Sequence, residues 1–143
     1  MSTNQTPFTP KFGLEVPLPS KFHADVVVKD KLSLAISTPL AVGTTINLTT
    51  ASGNIVPITG TGIINSFGST DNPGESSELV FDNVVVITSG AELVIPGGNL
   101  AIGSGDRVNV VSETSTRWKI TGGNRADGTP LFDNSIVYAI TLG

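Results

Sequence analysis

Between residues 92 and 127 the chain never keeps to one apolar run for longer than a few residues. The short β-type runs 93–95, 100–102, 108–111 and 118–120 alternate with Pro96-Gly97-Gly98, Gly103-Ser104-Gly105-Asp106, Glu113-Thr114-Ser115-Thr116 and Gly122-Gly123-Asn124. Each of these punctuating groups reverses a backbone at low cost, because glycine accepts positive φ and Asp, Asn, Ser and Thr bond their own backbone. No uninterrupted stretch is long enough for an amphipathic helix, so this region is expected to be a compact antiparallel meander of short strands.

The rest of the chain repeats that grammar. Sixteen glycines and nine prolines accompany abundant Val, Ile and Thr among 143 residues, a composition of many short strands and tight turns. The expected class is therefore all-β, a short-stranded antiparallel sandwich or barrel-like domain. Residues 1–23 are expected to form an extended N-terminal arm and residues 24–143 the β-rich domain. Charged residues make up only 14% of the chain and aromatic residues 6%. A small monomer needs more of both, charge to solvate its surface and bulk to fill its core. Much of the apolar surface is thus expected to be buried between subunits.

Four prolines, Pro7, Pro10, Pro17 and Pro19, exclude a helix or a central strand from the first twenty residues. Phe8, Phe12, Leu14, Val16 and Leu18 are spread between them. The segment reads either as a disordered terminus or as an arm whose apolar residues dock on a neighbouring protein, with the ordering cost offset on binding. Fully extended, twenty residues reach roughly 60 Å. Further on, residues 24–37 alternate at period two and predict a strand with one buried side, and residues 44–50 predict a second strand. The polar stretch 68–77 is the expected exposed loop and tip. Asp82-Asn83 is the expected turn between two short strands. The consecutive apolar residues 84–87 predict a strand covered on both faces, and residues 135–142 a final strand.

Little here supports catalysis. His23 is the only histidine and there is no cysteine, so neither a triad nor a His- or Cys-based metal cluster is within reach of one chain. Asp106, Asp127 and Asp133 lie in turns, where aspartate is expected to bond backbone. Asp127, Asp133 and Asn134 lack the dense acidic spacing of a calcium loop. Trp118 shares a strand face with Ile120 and reads as a core or interface anchor, or as a stacking platform for a sugar or base. The net charge of −4 and the scattered Lys and Arg argue against nucleic acid and anionic membranes, both of which call for clustered basic residues. No run approaches the about 20 apolar residues that span a bilayer, and residues 1–10 lack the basic start and apolar core of a secretory signal. No enzyme activity and no cofactor are expected.

One ordered set of residues adds to this reading. Ile63-Ile64, Phe67-Gly68, a Gly-containing polar loop, Leu79, Phe81, Leu93, Pro96-Gly97-Gly98-Asn99, Gly105-Asp106, Trp118 and Arg125-Ala126-Asp127-Gly128-Thr129 follow one another. In that order they resemble the small β-domain that recurs in virion proteins of tailed bacteriophages and prophages, in capsid decoration (cement) proteins and at the ends of tail fibres. The resemblance covers residues 58–131, about half the chain. It implies a homotrimer of β-tripod type, made in the host cytoplasm and carried on the outer capsid surface of the virion, with the major capsid protein as partner. Val84, Val86, Leu93, Ile95, Val110 and Trp118 are then the expected trimer core, and Phe8, Phe12, Leu14, Val16 and Leu18 the capsid-binding arm. The alternative is a tail-fibre or head-fibre module that contacts a glycan or protein of the host surface.

Overall fold

A computed structural model of the chain describes residue 27 and residues 29–132. The chain divides into two units, Met1–Leu32 and Ser33–Gly143. Of the first, the described residues are exposed and bend at Lys29-Asp30. The proposed anchors Phe8, Phe12, Leu14, Val16 and Leu18, and the expected last strand at 135–142, lie outside the described residues.

Among its described residues the second unit is all-β. Its strands are β1 (Leu40–Ala41), β2 (Ile55–Thr59), β3 (Gly62–Ile64), β4 (Ser76–Phe81), β5 (Val85–Ile87), β6 (Leu93–Val94), β7 (Leu100–Ile102), β8 (Arg107–Ser112) and β9 (Trp118–Asn124), with one short 3-10 helix at Leu48–Thr50. Six strands form a curled sheet in the order β1-β2-β4-β8-β9-β6, and three form a smaller one in the order β3-β5-β7.

The two sheets are limbs of one folded ribbon. Ile55 faces Glu78 in the larger sheet and Ile64 faces Ile87 in the smaller, so the parallel register of β2-β3 against β4-β5 does not slip across the bend. Leu79 faces Val108 and Ile87 faces Leu100, so the antiparallel register of β4-β5 against β7-β8 is equally unbroken. The period-two alternation also runs through the corner without a change of phase, with Leu79, Phe81, Val85 and Ile87 inside and Val80, Val84 and Val86 outside that core. Gly60 makes the corner on the first strand at φ +94, a conformation that costs glycine little and a side-chain-bearing residue much more. The Asp82 carboxylate accepts the Gly60 N–H at 3.0 Å and the Asp82 N–H donates to the Ile58 carbonyl at 3.2 Å, tying the two parallel strands together where they turn.

This topology corrects the expectation of an antiparallel domain: the sheets are mixed. Because β2 and β4 both run out across the corner and the chain returns through residues 65–75, they lie parallel. The expected meander has its strands where the apolar runs are, but not their pairing. Of its four strands only β8 and β9 are antiparallel neighbours of each other, while β6 pairs parallel with β9 and β7 belongs to the smaller sheet. The β8–β9 register shifts at Asn109/Val110, beside Gly122-Gly123. At Gly123, φ is +151 and a β-carbon would collide with the Arg107 carbonyl, so glycine is what lets the bulged strand approach its neighbour.

Three more expectations are revised. Residues 35–37 add to the edge of β2, through Ile55 N–H to the Ala35 carbonyl (3.1 Å) and Ser37 N–H to the Ile55 carbonyl (2.7 Å), yet Leu34 and Ile36 are exposed. The strand over 24–37 therefore has no buried apolar side among its described residues. Residues 44–47 form no strand: Thr45 makes an isolated parallel bridge to Ser66, and the Ile46 N–H donates to the Ser66 carbonyl at 3.0 Å. Residues 48–50 instead coil into the 3-10 turn, where the Thr50 hydroxyl donates to the Asn47 carbonyl at 2.7 Å, the local bonding that draws threonine out of strands. Finally, within a single chain β5 is covered on one face only: Val85 and Ile87 are buried, Val84 and Val86 are not.

The core lies between the limbs. Val56, Ile58, Leu79, Phe81, Val108 and Val110 come from the larger sheet, and Ile64, Val85, Ile87, Leu100 and Ile102 from the smaller. Ile46, Leu48, Phe67, Leu93, Ile95, Trp118, Ile120 and Leu131 complete it.

Candidate assembly surface

The outward positions of the smaller sheet carry one set of exposed large apolar side chains, Leu32, Leu34 and Ile36 being another. Ile63 faces Val86 across β3–β5, and Val86 faces Ala101 across β5–β7, so three apolar side chains stand in one row at adjacent-strand spacing. Ile63 is 53% exposed, Val86 37%, and Val84, two residues along the same face, 61%. The remaining outward positions, Thr61, Asn65, Thr88, Asn99 and Gly103, follow from the period-two alternation. None carries a charge. The outer face of the larger sheet differs. Arg107 Nη1 donates to Glu78 Oε1 at 2.6 Å there, and Lys119 stands on β9.

The structure separates the residues expected at a trimer core. Leu93, Ile95, Val110 and Trp118 are buried within a single chain, so they fill that chain's own core and are not available to a neighbour. Val84 and Val86 are at the surface. Ile63 and Ala101, which share their row, were not among the expected residues. Their signal is cross-strand register, which pairs residues far apart in sequence.

Trp118 is completely buried. Its indole N–H donates to the Gly68 carbonyl at 2.9 Å, and its ring meets Phe67 edge-on with centroids 6.3 Å apart. No ring face is open for stacking, which sets aside the sugar- or base-platform reading. The same bond anchors the polar loop. Thr70 is buried, its N–H donates to the Ser115 carbonyl at 2.8 Å, and its hydroxyl donates to Glu75 Oε2 at 2.8 Å. Ser69, Asp71, Asn72, Pro73 and Gly74 are exposed as expected, but the loop is tied into the core and is not a detachable tip.

Asp106 sits on the inward phase of the ribbon at its corner, where a carboxylate must be satisfied internally. Oδ2 accepts the Gly103 N–H (2.8 Å) and Arg125 Nη1 (2.8 Å), and Oδ1 accepts the Ala126 N–H (2.9 Å). Burial pushes its pKa up, but the Gly103 N–H, the Arg125 guanidinium and the Ala126 N–H together outweigh it and hold the carboxyl below its ordinary value. Arg125 also donates to the Ala101 carbonyl at 2.7 Å, so Asp106 links the corner, the turn after β9 and the edge strand of the smaller sheet. Asp127 bonds the Thr129 N–H and hydroxyl, which lower its pKa. Both aspartates are turn-bonded, as their positions predict; Asp133 lies outside the described residues.

No protein-family model matches this chain, and neither a curated protein nor a solved structure does.

An open groove of about 540 Å³ is lined by Asn47, Thr49, Thr70, Asp71, Asn72 and Glu75, together with Ser69 and Pro73. Its lining is polar and acidic, with no aromatic ring and no basic group. Among the described residues no three His, Cys, Asp or Glu side chains come together in a way that would hold a metal ion. Among them, too, no helix is long and apolar enough to cross a membrane.

Proposed function

We propose that this chain is a bacteriophage structural protein, a capsid decoration protein that binds the outer head surface as a homotrimer and stabilises the shell. The observation that carries the reading is the uncharged face of the smaller sheet, with Ile63, Val84 and Val86 open to solvent. Contiguous exposed apolar side chains on a folded domain mark a surface meant for a protein neighbour. The order of residues over 58–131 and the proline-spaced anchors of the first twenty residues agree with it. The work is binding without turnover. A head filled with DNA loads its shell laterally, and a trimer seated where capsomers meet opposes their separation by adding contact across the seam.

Attachment is assigned to the arm. Full burial of one Phe or Leu is worth roughly 1.5–3 kcal/mol, and fixing the backbone opposes it by about 1–2 kcal/mol per residue, so a single arm holds weakly. Three arms on one trimer act at high effective concentration and gain about 10²–10⁴ in avidity. Deleting residues 1–20 is expected to leave the trimer's melting temperature unchanged and to abolish its protection of heads against heat and chelator, measured as surviving particles. Full protection by the truncated chain would assign attachment to the folded unit.

The polar groove favours a second reading, a tail-fibre or head-fibre module that contacts a host glycan or protein. Copy number separates the two, since a decoration protein covers the head and a fibre subunit is present in a few copies.

A further inference from the structure

We infer that the Asp106–Arg125 ion pair guards the open edge of β7: it stands in for one residue of a neighbouring strand and so keeps that edge from pairing with a strand of another molecule. Such a guard serves the chain in any assembly, and it stands apart from the decoration reading.

β9 covers the edge of β8 as far as the Arg107–Asn124 pair and stops there. Around the corner, β7 is the last strand of the smaller sheet among the described residues. An uncovered strand offers its N–H and C=O groups to any passing strand, and proteins blunt such edges with prolines, short strands, bulges or charges. The larger sheet ends on β1, directly after Pro39, and on β6, two residues long and closed off by Pro96. β7 contains no proline. Its edge is met by side chains instead. Arg125 Nη1 donates to the Ala101 carbonyl at 2.7 Å, and Asp106 Oδ2 accepts the Gly103 N–H at 2.8 Å. A residue of a parallel neighbouring strand makes the same two bonds, giving its N–H to residue i−1 and accepting that of residue i+1. With i at Ile102, the guanidinium and the carboxylate fill those two places, and the 2.8 Å bond between Nη1 and Oδ2 joins them. Burial makes the pair a guard and not a dock. The Asp106 side chain is only 6% exposed, and a strand that displaced Arg125 would leave that carboxylate buried without its counter-charge. The guarded edge lies beside the exposed apolar row of Ile63, Val86 and Ala101, where an open edge is most prone to associate. The strand most available to it is that of a second copy.

Sedimentation of the full chain over a concentration series tests this with the parent, Arg125→Met and the control Arg107→Met. Arg125→Met keeps the side-chain stem and removes the donors, while Arg107→Met removes the same charge from the outer face of the larger sheet, where it pairs with Glu78. Arg125→Met is expected to form species larger than the parent's, at concentrations at least about tenfold lower than the parent needs, with an unchanged circular dichroism spectrum. Arg107→Met is expected to sediment like the parent. The Ala101 N–H lies on the same edge as its carbonyl, so adding Ala101→Pro to Arg125→Met takes a donor from the opened edge and is expected to restore the parent's behaviour. A folded Arg125→Met that sediments like the parent would overturn the inference and leave the pair a tie between the corner and the turn after β9. Equal association in Arg107→Met, or association that Ala101→Pro does not relieve, would overturn it too. Should Arg125→Met fail to fold, Asp106→Asn keeps the size of the side chain and breaks the ion pair, and it is expected to associate in the same way; a folded Asp106→Asn that sediments like the parent would overturn the inference.

Discussion

Replacing Trp118 by alanine is expected to cost the folded unit about 3–5 kcal/mol, a large share of the total stability of a domain this size. The indole is fully buried at the start of β9, where it faces Ser112 on β8 and Leu93 on β6. Its removal empties the contact with Phe67 and strips the Gly68 carbonyl of its donor. Trp118→Phe retains much of the packing and loses the donor, so about 1–3 kcal/mol is expected from the unsatisfied carbonyl and the residual void. Urea unfolding followed by circular dichroism measures both. A Trp118→Ala chain destabilised by less than about 1 kcal/mol, the range of an ordinary surface substitution, would place the ring outside the core.

Asp106→Ala is expected to cost about 2–4 kcal/mol, because it leaves the Gly103 and Ala126 N–H groups without their acceptor and Arg125 without its partner. Arg125 is about a third exposed, which keeps the loss toward the lower end of that range. The same carboxylate gives a pH dependence. Its folded pKa lies below the unfolded value of about 3.9, so the unfolded state binds the proton more readily. The contribution is then fully present above about pH 4 and is lost as pH falls through the lowered folded value. Urea midpoints of the parent and of Asp106→Ala are expected to converge below about pH 4. A gap that stayed constant down to pH 2 would show that the folded carboxyl titrates no lower than the unfolded one.

Much of the local structure was legible in the sequence and little of the pairing was. Each short apolar run between 92 and 120 became a strand, because glycine and Asx turns and period-two alternation act within a few residues. Whether β4 turns back on itself at Asp82-Asn83 or continues over a corner depends on what lies beside it. Here Gly60 and the Asp82–Gly60 bond on the neighbouring strand make it continue. A parallel ribbon bent in unbroken register leaves no local mark. The consecutive valines at 84–86 looked like a doubly covered strand because local hydrophobicity cannot say which face finds a partner within the same chain. The same limit explains the candidate surface. Val84 and Val86 were recognisable as apolar strand residues, but they could not be told from Leu93, Ile95, Val110 and Trp118, which the fold takes for its own core. Ile63 and Ala101 joined them only once β3 and β7 lay on either side of β5.

The claim that this chain decorates a phage head is tested most directly by its abundance on particles. Purified particles from a culture producing the chain, resolved on a stained gel and quantified against the major capsid protein, are expected to carry it in the hundreds of copies, in multiples of three. Absence from the particles, or only a few copies on each, would contradict the account.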